Sequence, residues 1–200
     1  MNPDVVLGLT GFALISTITP GGATAIATAT GAHFGFRRSL PVLSGICLAL
    51  ATMAAVAAAG LGGLLTAVPV LGSALKVLGT AYLVWLAVRT ARSGSPHQAE
   101  RSTEPISLPG GAVLLLYNPK GWAMTTAAAA AFSTLSPHPV TLAVAFAVVF
   151  ALASAISLTV WCLLGMGLRR VLHTPRQWAA LNLGLAVLLI ASIIPIWLEG

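Results

Sequence analysis

The chain has 200 residues, of which 58% are hydrophobic and only 7% are charged, and its mean hydropathy is +0.96. Soluble domains carry about a quarter charged residues. This composition therefore excludes a soluble fold, and with it the nucleic-acid binding that a net charge of +6 would otherwise suggest.

Residues 5–36, 39–75, 121–168 and 177–198 contain no Asp, Glu, Lys or Arg, and a spanning helix needs roughly 20 apolar residues. An all-α membrane protein is expected, with six transmembrane helices at about 5–31, 40–66, 70–91, 109–132, 140–166 and 178–198. The first span begins at Met1-Asn2-Pro3-Asp4, without the basic n-region of a signal peptide, and reads as a retained helix. Its interior is interrupted by Thr19-Pro20-Gly21-Gly22. The second is rich in small residues from Ala54 to Gly63, which suit close helix packing. The third carries Lys76 and Tyr82, both candidates to line a path, although the Lys76 side chain is also placed to snorkel to the outer surface. An inner linker, residues 93–107, divides a single transmembrane domain into halves 1–92 and 108–200. The fourth span is interrupted by Asn118-Pro119-Lys120-Gly121 and runs on into Ala127–Ala131. The turn formers from Ser133 to Pro139 then separate the fourth and fifth spans.

Basic residues set the orientation. Arg37, Arg38, Arg89, Arg92, Arg101, Arg169, Arg170 and Arg176 all fall in or beside loops of one side, whereas 66–72 and 133–139 contain no Lys or Arg. The positive-inside rule gives N-out and C-out. Three helices before the linker then force helices 4–6 to run inverted relative to 1–3, a 3+3 inverted repeat. Pro20 lies about 24 Å along its span from the outside and Pro119 about 15 Å from the inside, at 1.5 Å per residue. Two broken helices at similar depth, approached from opposite faces, mark the substrate site of a secondary transporter.

Each break starts a new half-helix at its proline, and a helix N-terminus carries about +0.5 of a charge that favours an anion. Thr17, Thr19, Pro20, Gly21, Gly22, Asn118, Pro119 and Lys120 are the candidate substrate-binding residues. Lys120 supplies a full charge inside a span, which marks a functional position by default; the competing reading is snorkelling to the inner interface. The acidic residues Asp4, Glu100, Glu104 and Glu199 lie at the termini or in the linker. A buried carboxylate relay has no candidate, and a cationic substrate would lack a counter-charge. The expected cargo is neutral or zwitterionic. The histidines have no metal-ligand spacing, so neither a metal nor another cofactor is expected, and no catalytic constellation marks an enzyme. Cys47 and Cys162 are away from the breaks, outside any CxxC motif.

Thr19-Pro20-Gly21, Gly35-Phe36-Arg37-Arg38 with Gly45, Leu75-Lys76-Val77-Leu78-Gly79, Tyr82-Leu83 and Asn118-Pro119-Lys120 together resemble the LysE/RhtB family of amino-acid exporters over nearly the whole chain. The resemblance implies a multi-pass protein of the bacterial inner (plasma) membrane. It would move amino acids or related metabolites outward, driven by an ion gradient or the membrane potential. Its partners would be the substrate, the lipid bilayer and a coupling ion such as the proton, and its small-residue faces suit a homodimer. Gly22 and Ala23 stand where the family commonly has proline and a polar residue, so substrate identity does not carry over. The other readings are a non-transporting membrane partner or assembly protein of the same fold, and a transmembrane thiol–disulfide carrier, which would need cysteines at the breaks.

Overall fold

The computed structural model describes residues 3–61, 105–132, 135–191 and 193–194, with isolated positions between 77 and 92. Lys76, Tyr82 and most of the expected linker lie outside the described residues. Six helices are continuous among those residues: α1 (Pro3–Ile18), α2 (Gly22–Val56), α3 (Leu108–Leu116), α4 (Pro119–Phe132), α5 (Pro139–Val171) and α6 (Pro175–Ala191). Four of them open on proline, whose missing N–H costs nothing at a helix start. The others begin where the sequence supplies a cap or a glycine. Ser107 accepts the Gly110 N–H at the head of α3, and α2 starts directly after Gly21. Ahead of α6, the Gln177 side chain accepts the His173 and Thr174 N–H groups while Thr174 Oγ1 accepts from Gln177 N, the reciprocal pattern of a capping box.

Helix α2 is two limbs. Residues 22–34 and 36–56 meet at Gly35, with φ 75° and ψ 171°, a backbone region open essentially to glycine alone. The chain reverses there, as its neighbours along α5 show. From Thr17 to His33 those neighbours advance from Ala153 and Ser157 to Arg169. They then retreat, with Ser39 on Cys162 and Cys47 on Ser154. The expected loop between the first two spans is thus compressed to one residue, and Arg37 and Arg38 lie in helix. A second positive φ, 106° at Gly60, falls in a π-helical turn, Ala57–Leu61, that follows α2.

The tightest crossings are not in the alanine-rich runs. A Cβ at Gly31 would strike the Cys162 carbonyl and one at Gly165 the Thr28 carbonyl, so α2 and α5 touch backbone to backbone. Gly45 and Gly111 do the same for α2 and α3, against the Leu108 and Val42 carbonyls. By contrast, Ala127, Ala130 and Ala131 are exposed, and Ala128 alone of that run is buried. Phe146 and Phe150 of α5 fill the core with Leu9, Ile46 and Met53, all buried. Outside, Leu7 and Val140 remain 73% and 76% exposed, apolar surface that a bilayer covers.

Helices α1 and α4 run antiparallel. Lys120 at the start of α4 reaches Thr19 at the end of α1, while Phe132 at the far end of α4 stands edge-on to Phe12 at 6.0 Å and beside Gly8. The two breaks therefore meet at one level.

Candidate functional site

A helix leaves its last carbonyls without intrahelical donors, and at the end of α1 most of these are taken by side chains from far along the chain. Ser157 donates to the Thr17 carbonyl at 2.8 Å, and Trp161 Nε1 to that of Ile18 at 3.1 Å. Lys120 Nζ donates to the Thr19 carbonyl at 2.6 Å and reaches that of Pro20 at 3.5 Å. The Ser16 carbonyl would have bonded residue 20, but proline has no N–H. Among the described residues no donor meets it. Across the break, Gly21 N donates to Thr24 Oγ1 at 2.8 Å, and the Thr24 hydroxyl returns a bond to the Gly21 carbonyl at 2.9 Å. The Gly22 and Ala23 N–H groups, first in α2, meet no acceptor among the described residues.

The second break is tighter. Asn118 Oδ1 accepts Lys120 N at 3.1 Å, capping α4, and Asn118 N donates to the Leu115 carbonyl at 2.8 Å. Trp122 Nε1 donates to the Leu116 carbonyl at 2.9 Å. The cap fixes which end of the amide is which, leaving Nδ2 as the uncommitted group on a side chain only 4% exposed.

Between the breaks lies a cleft bounded by α1, α2, α3, α4 and α5. Of the sequence-derived candidates, Thr17, Thr19, Gly21, Gly22, Asn118 and Lys120 line it, while Pro20 and Pro119 shape the breaks without lining it. The hydroxyl protons of Thr17 and Thr19 are directed to helix carbonyls, Ala13 at 2.8 Å and Ile15 at 2.6 Å, so these side chains face the cleft as acceptors. The Lys120 side chain reaches onto the first break. Sequence reasoning missed Ser16, Thr24, Ser154 and Ser157, which also line the cleft. Ser154 and Ser157, three apart on a mostly apolar helix, were a readable signal, since i,i+3 residues share a face. Ile46, Leu50, Leu115, Met124 and Leu158 form the apolar wall. Among the described residues no acidic side chain lines the cleft and no cluster suited to a metal occurs. Cys47 and Cys162 are both free thiols.

Two antiparallel interrupted helices enclosing a polar cleft within an apolar helical bundle define a membrane transport protein. More specifically, the chain belongs to the LysE type translocator family, whose profile matches residues 7–192. It is 27% identical to the cysteine/O-acetylserine efflux proteins of Escherichia coli O1:K1 / APEC and of strain K12, over 98% of this chain and 100% of theirs. It is also 31% identical to an uncharacterized membrane protein of Vibrio cholerae serotype O1, over 54% of this chain and 55% of that one, about half its length. No solved structure matches the chain significantly.

Proposed function

We propose that this protein is a secondary transporter that exports neutral or zwitterionic amino acids, or related small metabolites, across the bacterial inner membrane. It works by alternating access, the two halves of an N-out, C-out 3+3 inverted repeat rocking around the paired breaks. The observation that carries this reading is the meeting of the Pro20 and Pro119 breaks through Lys120 and Thr19, around a cleft that among the described residues has one cation and no anion. That balance suits a substrate with a carboxylate and an uncharged side chain. Family membership and full-length similarity to the efflux proteins support outward amino-acid movement. Their names make cysteine and O-acetylserine the first substrates to try. The antiparallel course of α1 and α4 supports the inverted repeat. Thr17, Thr19, Gly21, Gly22 and Asn118 are the proposed substrate contacts, with Pro20 and Pro119 creating the geometry and Lys120 holding the two breaks together. The proton is the proposed coupling ion and a homodimer the proposed assembly.

Counterflow in proteoliposomes against a panel of amino acids, with and without a pH gradient, tests both substrate and coupling. Exchange of small neutral amino acids, accelerated by the gradient, is expected. Absence of exchange for the entire panel would remove the proposal.

A further inference from the structure

We propose that the Pro20 break seats both charged ends of a single α-amino acid: the ammonium on the Ser16 carbonyl, and the carboxylate on the Gly22 and Ala23 N–H groups and the Asn118 side-chain amide. This rests on the reading of the cleft as the substrate site of an amino-acid exporter and goes beyond it by assigning each end of the substrate to named atoms.

The assignment follows from which polar groups the protein itself has used. Thr17, Ile18 and Thr19 carbonyls are occupied by Ser157, Trp161 and Lys120. Ser16 is the remaining acceptor at that end of α1, orphaned because residue 20 is proline, and it lines the cleft. Its carbonyl lies at the C-terminal, negative pole of α1, which favours a cation. Only residues 19–21 separate that helix from the N-terminal, positive pole of α2, where Gly22 and Ala23 line the same cleft. Asn118 is the independent observation. It is 96% buried by the complement of its 4% exposure and lines the cleft together with Gly22 and Ala23. Its Oδ1 is held by Lys120 N, leaving Nδ2 with no acceptor among the described residues. A buried amide donor left without an acceptor is costly, and a carboxylate between Asn118 and the head of α2 would satisfy it.

Lys120 takes a different role from the one its charge alone suggests. Its ammonium is bound to the Thr19 and Pro20 carbonyls, so it is a positioning residue that holds the two breaks together. The side chain of the substrate would face Ile46, Leu50 and Met124, where a short uncharged group fits and a second charge has no partner.

The experiment is counterflow of labelled L-cysteine, kept reduced, in proteoliposomes containing the full chain. The competitors are unlabelled L-cysteine, cysteinamide, which lacks the carboxylate, and 3-mercaptopropionate, which lacks the ammonium. Cysteine is expected to compete at least tenfold better than either analogue. Should another amino acid exchange in place of cysteine, its own amide and des-amino acid serve in the same way. Asn118→Asp retains the oxygen that caps α4 but replaces the amide donor with an anion; its KM should rise at least tenfold with an unchanged melting midpoint. Pro20→Ala supplies an N–H to the Ser16 carbonyl and should let 3-mercaptopropionate compete as well as cysteine. Equal competition by both analogues in the wild type, or an unaltered KM in Asn118→Asp, would overturn the seat while leaving amino-acid export intact. Failure of every amino acid to exchange would overturn export itself, and the seat with it.

Discussion

Replacing Lys120 with methionine keeps most of the stem and removes the ammonium that joins the two breaks. The bond lost is the one to the Thr19 carbonyl at 2.6 Å; the contact with Pro20 at 3.5 Å is too long to add much. A hydrogen bond to a charged group contributes about 1.5–3 kcal/mol net. Thr19 is exposed, so other donors can reach its carbonyl once the lysine is gone, which places the effect towards the lower figure. If the bond forms only when the breaks are joined, the joined state loses roughly 10-fold in population at that lower figure, since each 1.4 kcal/mol is tenfold. Efflux from proteoliposomes should fall by a similar factor, while membrane insertion and helix content stay as in the wild type. Parallel melting in detergent separates loss of fold from loss of the joined state. Wild-type efflux by Lys120→Met, with the protein confirmed in the bilayer, would refute the idea that this contact holds the site.

The close helix crossings give a sharper contrast. Gly31→Ala and Gly165→Ala each force a methyl into a backbone carbonyl and should destabilise by about 1–3 kcal/mol or more, whereas Gly11→Ala, Gly167→Ala and Gly184→Ala have open space and should be neutral or slightly stabilising; detergent melting compares the two groups. Gly35→Ala must hold φ 75° with a side chain, at about 1–3 kcal/mol, read as a lowered melting midpoint. Ser157→Ala leaves the buried Thr17 carbonyl without its donor, costing about 1–3 kcal/mol, so both its melting midpoint and its efflux rate should drop below wild type. On a background lacking Cys47 and Cys162, His138→Cys should react with an impermeant thiol reagent from outside intact cells and His173→Cys should not; the reverse labelling would overturn the proposed N-out topology.

Much of the fold was legible because its causes are local. A proline in a helix interior kinks or breaks it, and Pro20 and Pro119 lie at the two breaks, whereas Pro41 sits within α2 without ending it; charge-free runs announced long apolar helices. The loop at 32–39 was misjudged because Gly35 reverses the chain in a single residue, and nothing in the composition around Arg37 and Arg38 announces that. The site was legible in part. Thr17, Thr19, Gly21, Gly22, Asn118 and Lys120 were named from their nearness to the prolines, whereas Ser154 and Ser157 enter from α5, more than 130 residues from Thr17.

The sequence by itself determined a helical membrane protein with two interrupted spans, since hydropathy and the missing proline donor act within a few residues. The tertiary structure alone decided that the interruptions face each other, that Lys120 crosses to the Thr19 carbonyl, and that α5 supplies donors to the carbonyls of the first break. Those outcomes depend on which helix backbones can approach one another, at Gly31 against Cys162 and Gly165 against Thr28. The same packing leaves the Ser16 carbonyl, the Gly22 and Ala23 N–H groups and Asn118 Nδ2 without partners among the described residues, because it sets which carbonyls side chains from distant helices can reach.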